Sequence, residues 1–105
     1  MVNRFDVYLI NLDDVPSSDP KNTRPAVIVS PDELNRNVET VIIAPLSSTR
    51  AHYPTRIPVE FLNETRHVIL DQIQTVDKDR LVKKIGELEK EAREKVGDLL
   101  LELFS

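Results

Sequence analysis

Between Phe5 and Val76 the apolar residues of this chain come in short runs that read as strands, and only after Asp77 do they recur at spacings of three and four. That order confines the fold to a small sheet with helical covering added at its end. Phe5 to Leu12 reads as a strand with Phe5, Val7 and Leu9 on one face and Tyr8 and Ile10 on the other, so both faces are covered. Pro25 to Ser30 and Val38 to Pro45 are runs of the kind a buried strand favours. Between them, Pro31 to Asn35 suits one helical turn, with Ser30 as cap and Pro31 in the first position. Pro54 to Phe61 alternates, placing Ile57, Val59 and Phe61 on one side, and Pro54 and Pro58 keep it at an edge. His67 to Leu70 and Ile73 to Val76 complete the β portion.

The tail reads as helical. Asp77 is placed to cap a helix from Lys78, with Leu81, Val82 and Ile85 inward and Gly86 as its stop. A second helix from Glu89 to Phe104 presents Ala92, Val96, Leu99, Leu100 and Leu103 as an inner stripe and turns Lys90, Glu91, Glu94, Lys95 and Asp98 to water. The expected architecture is mainly β with C-terminal helices: one domain, residues 1–76 forming a small bent sheet or barrel with one short helix, residues 77–105 closing it. A chain of 105 residues buries roughly two thirds of its unfolded surface without staples.

Composition narrows the function classes. Residues are 40% hydrophobic and 30% charged, and no apolar run approaches the roughly 18 residues of a membrane span. The start, Met1-Val2-Asn3-Arg4, leads into a strand pattern without an apolar signal region, so a cytoplasmic protein is expected. The absence of cysteine removes disulfides and thiolate metal sites and fits a reducing compartment. A net charge of −4 argues against coating nucleic acid by bulk electrostatics. It leaves room for a local basic groove, because Arg50, His52, Arg56, Arg66 and His67 gather mid-chain while acidic residues dominate from Glu87 to Glu102.

Asn22-Thr23-Arg24-Pro25-Ala26-Val27-Ile28-Val29-Ser30 sets an arginine at the junction of a polar loop, Asp13 to Thr23, and a strand. Pro25 biases Arg24 to extended backbone, so a stiff sheet can aim a guanidinium at a phosphate. The loop contains Pro16, Pro20 and three aspartates and has the length of a functional loop. Taken alone, Arg24 also reads as a solvated loop residue, Asp19 as a turn former, Asp71 as an acceptor at a strand break, and Ser47 and Ser48 as a polar turn. His52 and His67 could form an acid–base pair, since imidazoles titrate near neutrality. Surface or RNA-facing roles are the simpler reading of both. Arg50, Arg56 and Arg66 suit phosphate tracking, and Tyr53 suits base stacking or a packed Tyr53-Pro54 turn.

The order of these pieces resembles the MazF/PemK family of toxin endoribonucleases. The resemblance is carried by Asp6-Val7-Tyr8, Asn11-Leu12-Asp13, Thr23-Arg24-Pro25-Ala26-Val27-Ile28-Val29-Ser30 and Asn35-Arg36. Further along come Val41-Ile42-Ile43-Ala44-Pro45-Leu46-Ser47-Ser48, Tyr53-Pro54, Leu70-Asp71-Gln72-Ile73 and Thr75-Val76-Asp77-Lys78-Asp79-Arg80-Leu81. It implies an SH3-like barrel, a homodimer, a cognate antitoxin, and scission of single-stranded RNA without metal or cofactor through a 2′,3′-cyclic phosphate. It also implies Arg24 as principal catalytic residue, Ser47 as its assistant, and Asp19 and Asp71 as the acidic positions. Ser18, Ser48, Arg50, His52, Tyr53, Arg56 and Gln72 are then the RNA-contacting candidates. The chain departs from the family pattern at Ser17-Ser18-Asp19, where a Gly-Ser-Glu run is common, and at Gln74, where arginine is frequent. A non-catalytic CcdB-like toxin acting on DNA gyrase, or a decayed toxin that only binds its antitoxin, are the alternatives the same barrel admits.

Overall fold

The computed structural model describes residues 1–12, 22–48 and 55–104. Seven strands lie within them: β1 (Asp6–Asn11), β2 (Thr23–Ile28), β3 (Thr40–Ser47), β4 (Arg56–Phe61), β5 (Glu64–Ile69), β6 (Gln74–Asp77) and β7 (Leu81–Glu87). A short helix α1 (Asp32–Asn37) follows β2, and α2 (Lys90–Leu103) ends the chain. All pairings are antiparallel, in the order β4-β5-β3-β2-β1-β7, with β6 also on β3. The edge position read for the proline-bearing strand is the one β4 occupies.

Alternation along the strands explains why both faces of the sheet are apolar. Val7 and Val27, opposite one another in the ladder, enter a core with Leu46, Val59, Phe61 and Val68, which Val96 of α2 joins. Ile10, Ala26 and Ile28 point the other way, into a second cluster with Val41 and Ile43 that Val2, Tyr8, Val76 and Leu81 cover. Each such valine or isoleucine, fully buried, contributes about 1.5–3 kcal/mol. The inner stripe of α2 packs as expected through Ala92, Val96, Leu99 and Leu100. Leu103 does not join it, and with Leu101 and Phe104 it is exposed at the helix end.

The helix expected from Lys78 to Ile85 is absent. After a 3-10 turn at Lys78–Arg80, residues Leu81–Glu87 form β7 on the outer edge of β1. The helical spacing of Leu81, Val82 and Ile85 is an effect of two register shifts. Leu81 pairs with Ile10 and Lys83 with Leu9, then Lys84 with Tyr8 and Gly86 with Val7, so Val82 and Ile85 are the extra residues of two bulges. The open ladder of β1 outweighs the local helix preference of the Lys-Lys pair. Asp77 makes no capping bond. The C-terminal covering is therefore one helix, and the β portion runs to Glu87.

Ser30 also does other work than capping. Its hydroxyl donates to the Asn35 side-chain oxygen and accepts the Ile42 N–H at 3.1 Å, while Asn35 Nδ2 donates back to the Ser30 carbonyl at 2.9 Å. The Lys78 ammonium donates to the Asn35 carbonyl. Both Ser30 and Asn35 are buried, and this closed network ties the end of β2, α1, β3 and the turn before β7 into one unit.

Candidate active site

The site arises where the sheet divides. Strand β3 pairs with β2 through Ile43, Ala44 and Pro45, opposite Ile28, Val27 and Ala26, and the pairing stops there. Beyond it β3 bonds only to β5, Leu46 facing Val68 and Ser47 facing His67. Strand β2 continues on β1, with Pro25 opposite Leu9 and Arg24 opposite Ile10. Pro25 falls where the β2–β3 ladder ends, and it lacks the N–H that the next bond to β3 would use. Continuing the register by two places beyond its last pair brings Arg24 level with Ser47, where a gap lies between the strands. That gap is a cavity of about 500 Å³ lined by Arg24, Pro25, Pro45, Leu46, Ser47, Ser48, Arg66 and Ile69.

Arg24 thus sits inside a strand, one residue further into the ordered ladder than the loop junction read from the sequence, and β3 runs through Ser47. Its side chain is exposed, and among the described residues its guanidinium donates only to the carbonyl of Thr23, at 3.3 Å. No carboxylate of the described residues pairs with it. Ser48 is exposed and Ser47 half-buried.

The structure separates Asp71 from this group. Asp71 lies in the 3-10 turn Leu70–Gln72, where its carboxylate accepts from the Thr55 hydroxyl at 2.9 Å and pairs with Arg56 Nε at 3.6 Å. Neither Asp71 nor Arg56 lines the cavity, nor does the exposed Gln72. Ser18, Asp19, Arg50, His52 and Tyr53 lie outside the described residues. Gln74 lines a second cavity of about 500 Å³ with Asn11, Thr40, Asp77 and Arg80. Arg66 is the other charged residue that lines the cavity; the sequence reading gave it to phosphate tracking without placing it among the RNA-contacting candidates. The strand that carries it was read as starting at His67, and its place became visible only with the hairpin that starts β5 at Glu64.

Comparison with known proteins follows the same lines. The model of the PemK-like, MazF-like toxins of type II toxin-antitoxin systems matches residues 3–104. An endoribonuclease MazF of Staphylococcus saprophyticus subsp. saprophyticus is 33% identical over 106 aligned positions, covering 95% of this chain and 88% of that protein. An endoribonuclease in complex with its cognate antitoxin from a mycobacterial species superposes with a TM-score of 0.83 at 27% identity, over 99% of this chain and 95% of that one. Mycobacterium tuberculosis toxin MazF-mt6 shares the fold, with a TM-score of 0.77 at 22% identity over 94% of this chain and 95% of that one. Matched along nearly its whole length, with Arg24 and Ser47 lining one cavity where the ladder opens, the chain belongs to the PemK-like, MazF-like toxins of type II toxin-antitoxin systems.

Proposed function

We propose that this protein is an endoribonuclease toxin that cuts single-stranded RNA, acting as a cytoplasmic homodimer restrained by a cognate antitoxin. The observation that carries the reading is the exposed guanidinium of Arg24, which lines one cavity with Ser47 at the open end of the β2–β3 ladder. The ribose 2′-oxygen attacks phosphorus, its proton passes to a base, and the bond from phosphorus to the 5′-oxygen breaks as that oxygen takes a proton. A 2′,3′-cyclic phosphate and a 5′-hydroxyl result. No nucleophile from the protein is needed. What the reaction requires of it is stabilisation of the charge that gathers on the non-bridging oxygens, and a guanidinium supplies this through two parallel hydrogen bonds. The Ser47 hydroxyl adds a third donor.

A guanidinium is a poor base, so proton removal falls to a carboxylate, Asp19 or Asp71. Asp71 is already engaged by Thr55 and Arg56 and stands off the cavity, which favours Asp19. Asp71 then fixes Arg56 beside the substrate path. Purified protein should cut a mixed-sequence single-stranded RNA in the presence of EDTA, leaving 5′-hydroxyl ends. Arg24→Ala should slow this by roughly 10²–10³, the loss typical for one preorganised donor. Equal cutting by wild type and Arg24→Ala would refute the assignment. Asp19→Asn should lower the rate more than Asp71→Asn.

A further inference from the structure

Arg24 has a second arginine beside it, and that arginine is held differently. Arg66 lies on β5 and lines the same cavity as Arg24, Ser47 and Ser48. Its side chain is largely covered, yet its Nε is buried without a hydrogen-bond partner among the described residues. One terminal nitrogen donates to Glu64 Oε2 at 3.1 Å. Glu64 is two places back on the same strand, so both side chains leave the same face, and the carboxylate is well exposed. Arg56 is paired with Asp71, and neither lines the cavity.

Resting on the RNA-cleaving reading, we propose that Arg66 binds a backbone phosphate flanking the scissile one, and that Glu64 is the carboxylate it exchanges for that phosphate. An exposed ion pair between near neighbours is weak, whereas a guanidinium on a phosphate makes charge-assisted, bidentate bonds. The exchange therefore runs towards RNA. A cavity of about 500 Å³ is larger than one phosphate needs and admits a nucleotide with its neighbouring phosphate. Arg24 holds the reacting phosphate from the β2 side, and Arg66 holds the next one from the β5 side. Glu64 keeps Arg66 extended at the cavity wall and lowers its attraction for stray anions. Arg66 is a substrate-binding residue on this reading, not one that acts on the reacting atoms.

The test uses a uniformly 2′-O-methylated, mixed-sequence oligonucleotide, which binds but lacks the proton the reaction removes, alongside steady-state cleavage of the matching RNA. Arg66→Ala should weaken binding about tenfold, the cost of a hydrogen bond to a charged group. It should also flatten the dependence of log K on log salt by about 0.7, the value for one phosphate of a single strand. KM should rise with kcat held within about twofold, as for lost uniform binding. Arg66→Lys should restore the salt slope, and Glu64→Gln should tighten binding severalfold. Unchanged affinity and slope in Arg66→Ala would overturn the proposal, as would a fall in kcat at constant KM. If Arg66→Ala does not fold, Glu64→Gln decides, because unchanged affinity there removes the exchange. Wild-type protein that binds the oligonucleotide without cutting RNA would remove the enzymatic reading while the slopes still judge Arg66. Wild-type protein that does not bind it would remove both.

Discussion

The two glycines of this chain stand in opposite surroundings, and each sets an expectation of its own. A Cβ at Gly86 would lie 2.8 Å from Cε1 and 2.9 Å from Cζ of Phe61, a ring held in the core. Gly86→Ala should therefore cost about 1–3 kcal/mol as the ring is displaced, read as a lower urea midpoint at unchanged slope. At Gly97, within α2, a Cβ meets nothing within 4 Å. Gly97→Ala should raise stability by about 0.5–1 kcal/mol by removing backbone freedom from the unfolded chain. The sequence misled at Gly86 for a physical reason. A glycine after helix-like spacing signals a helix end by a local rule, whereas its actual reason for being small is a ring far away in the chain. Arg24 was legible because its constraint is local, a following proline and a β-branched run. The place of Arg66 in the same cavity was not, because it depends on which strand stands across the gap.

At the scale of elements, the hairpin between β4 and β5 turns on Leu62 and Asn63, both at positive φ, 52° and 64°. Two such residues in succession fit the turn that matches strand twist, and asparagine–glycine suits it best. Leu62 is 62% exposed, so its side chain recovers little by burial. The double change Leu62→Asn with Asn63→Gly should raise the thermal midpoint, by about 1 kcal/mol or more in stability, since a left-handed leucine costs about that much. A lower midpoint in the double variant would contradict this account. No asparagine–glycine pair advertises the turn, which is why β5 was read as starting three residues late. The same limit applied to β7. Its bulges break the period-two signal, so its strand character rests on the ladder offered by β1 rather than on its own pattern. By contrast α2, whose stripe packs one side of a core, was readable from its spacing alone.

Across the whole molecule, β7 binds to β1 through a charged step as well as a ladder. The Asp6 carboxylate is buried and accepts the Asn3 N–H at 2.9 Å, and it lies 3.3 Å from the Lys84 ammonium. The hydrogen bond to Asp6 raises Lys84 above its ordinary 10.5. Burial raises Tyr8, opposite Lys84 in the ladder, above its ordinary 10.0, and the Asp6 charge adds to this while Lys84 offsets part. Both groups favour the protonated form in the fold, so their contribution is complete below their ordinary values and is lost as pH rises through the raised ones. Stability should hold level through neutral pH and fall above about pH 10, where the ordinary values lie. Tyr8→Phe, which removes one of the two titrating groups, should make that fall less steep, which a urea titration series between pH 8 and pH 11.5 would measure. The small curved sheet with a helical lid was readable at this scale from the count and order of runs. The opening that forms the site was not, since it exists only in the relation between two strands and the point where their pairing ends.

That opening has one more consequence. Diverging strands commonly leave amide hydrogens that stray polypeptide can zip onto, yet on the β2 side of this fork Pro25 has none to give. On the RNA-cleaving reading proposed above, a peptide that silences this groove gains less from main-chain annealing along β2 and must win through its side chains and its acidity.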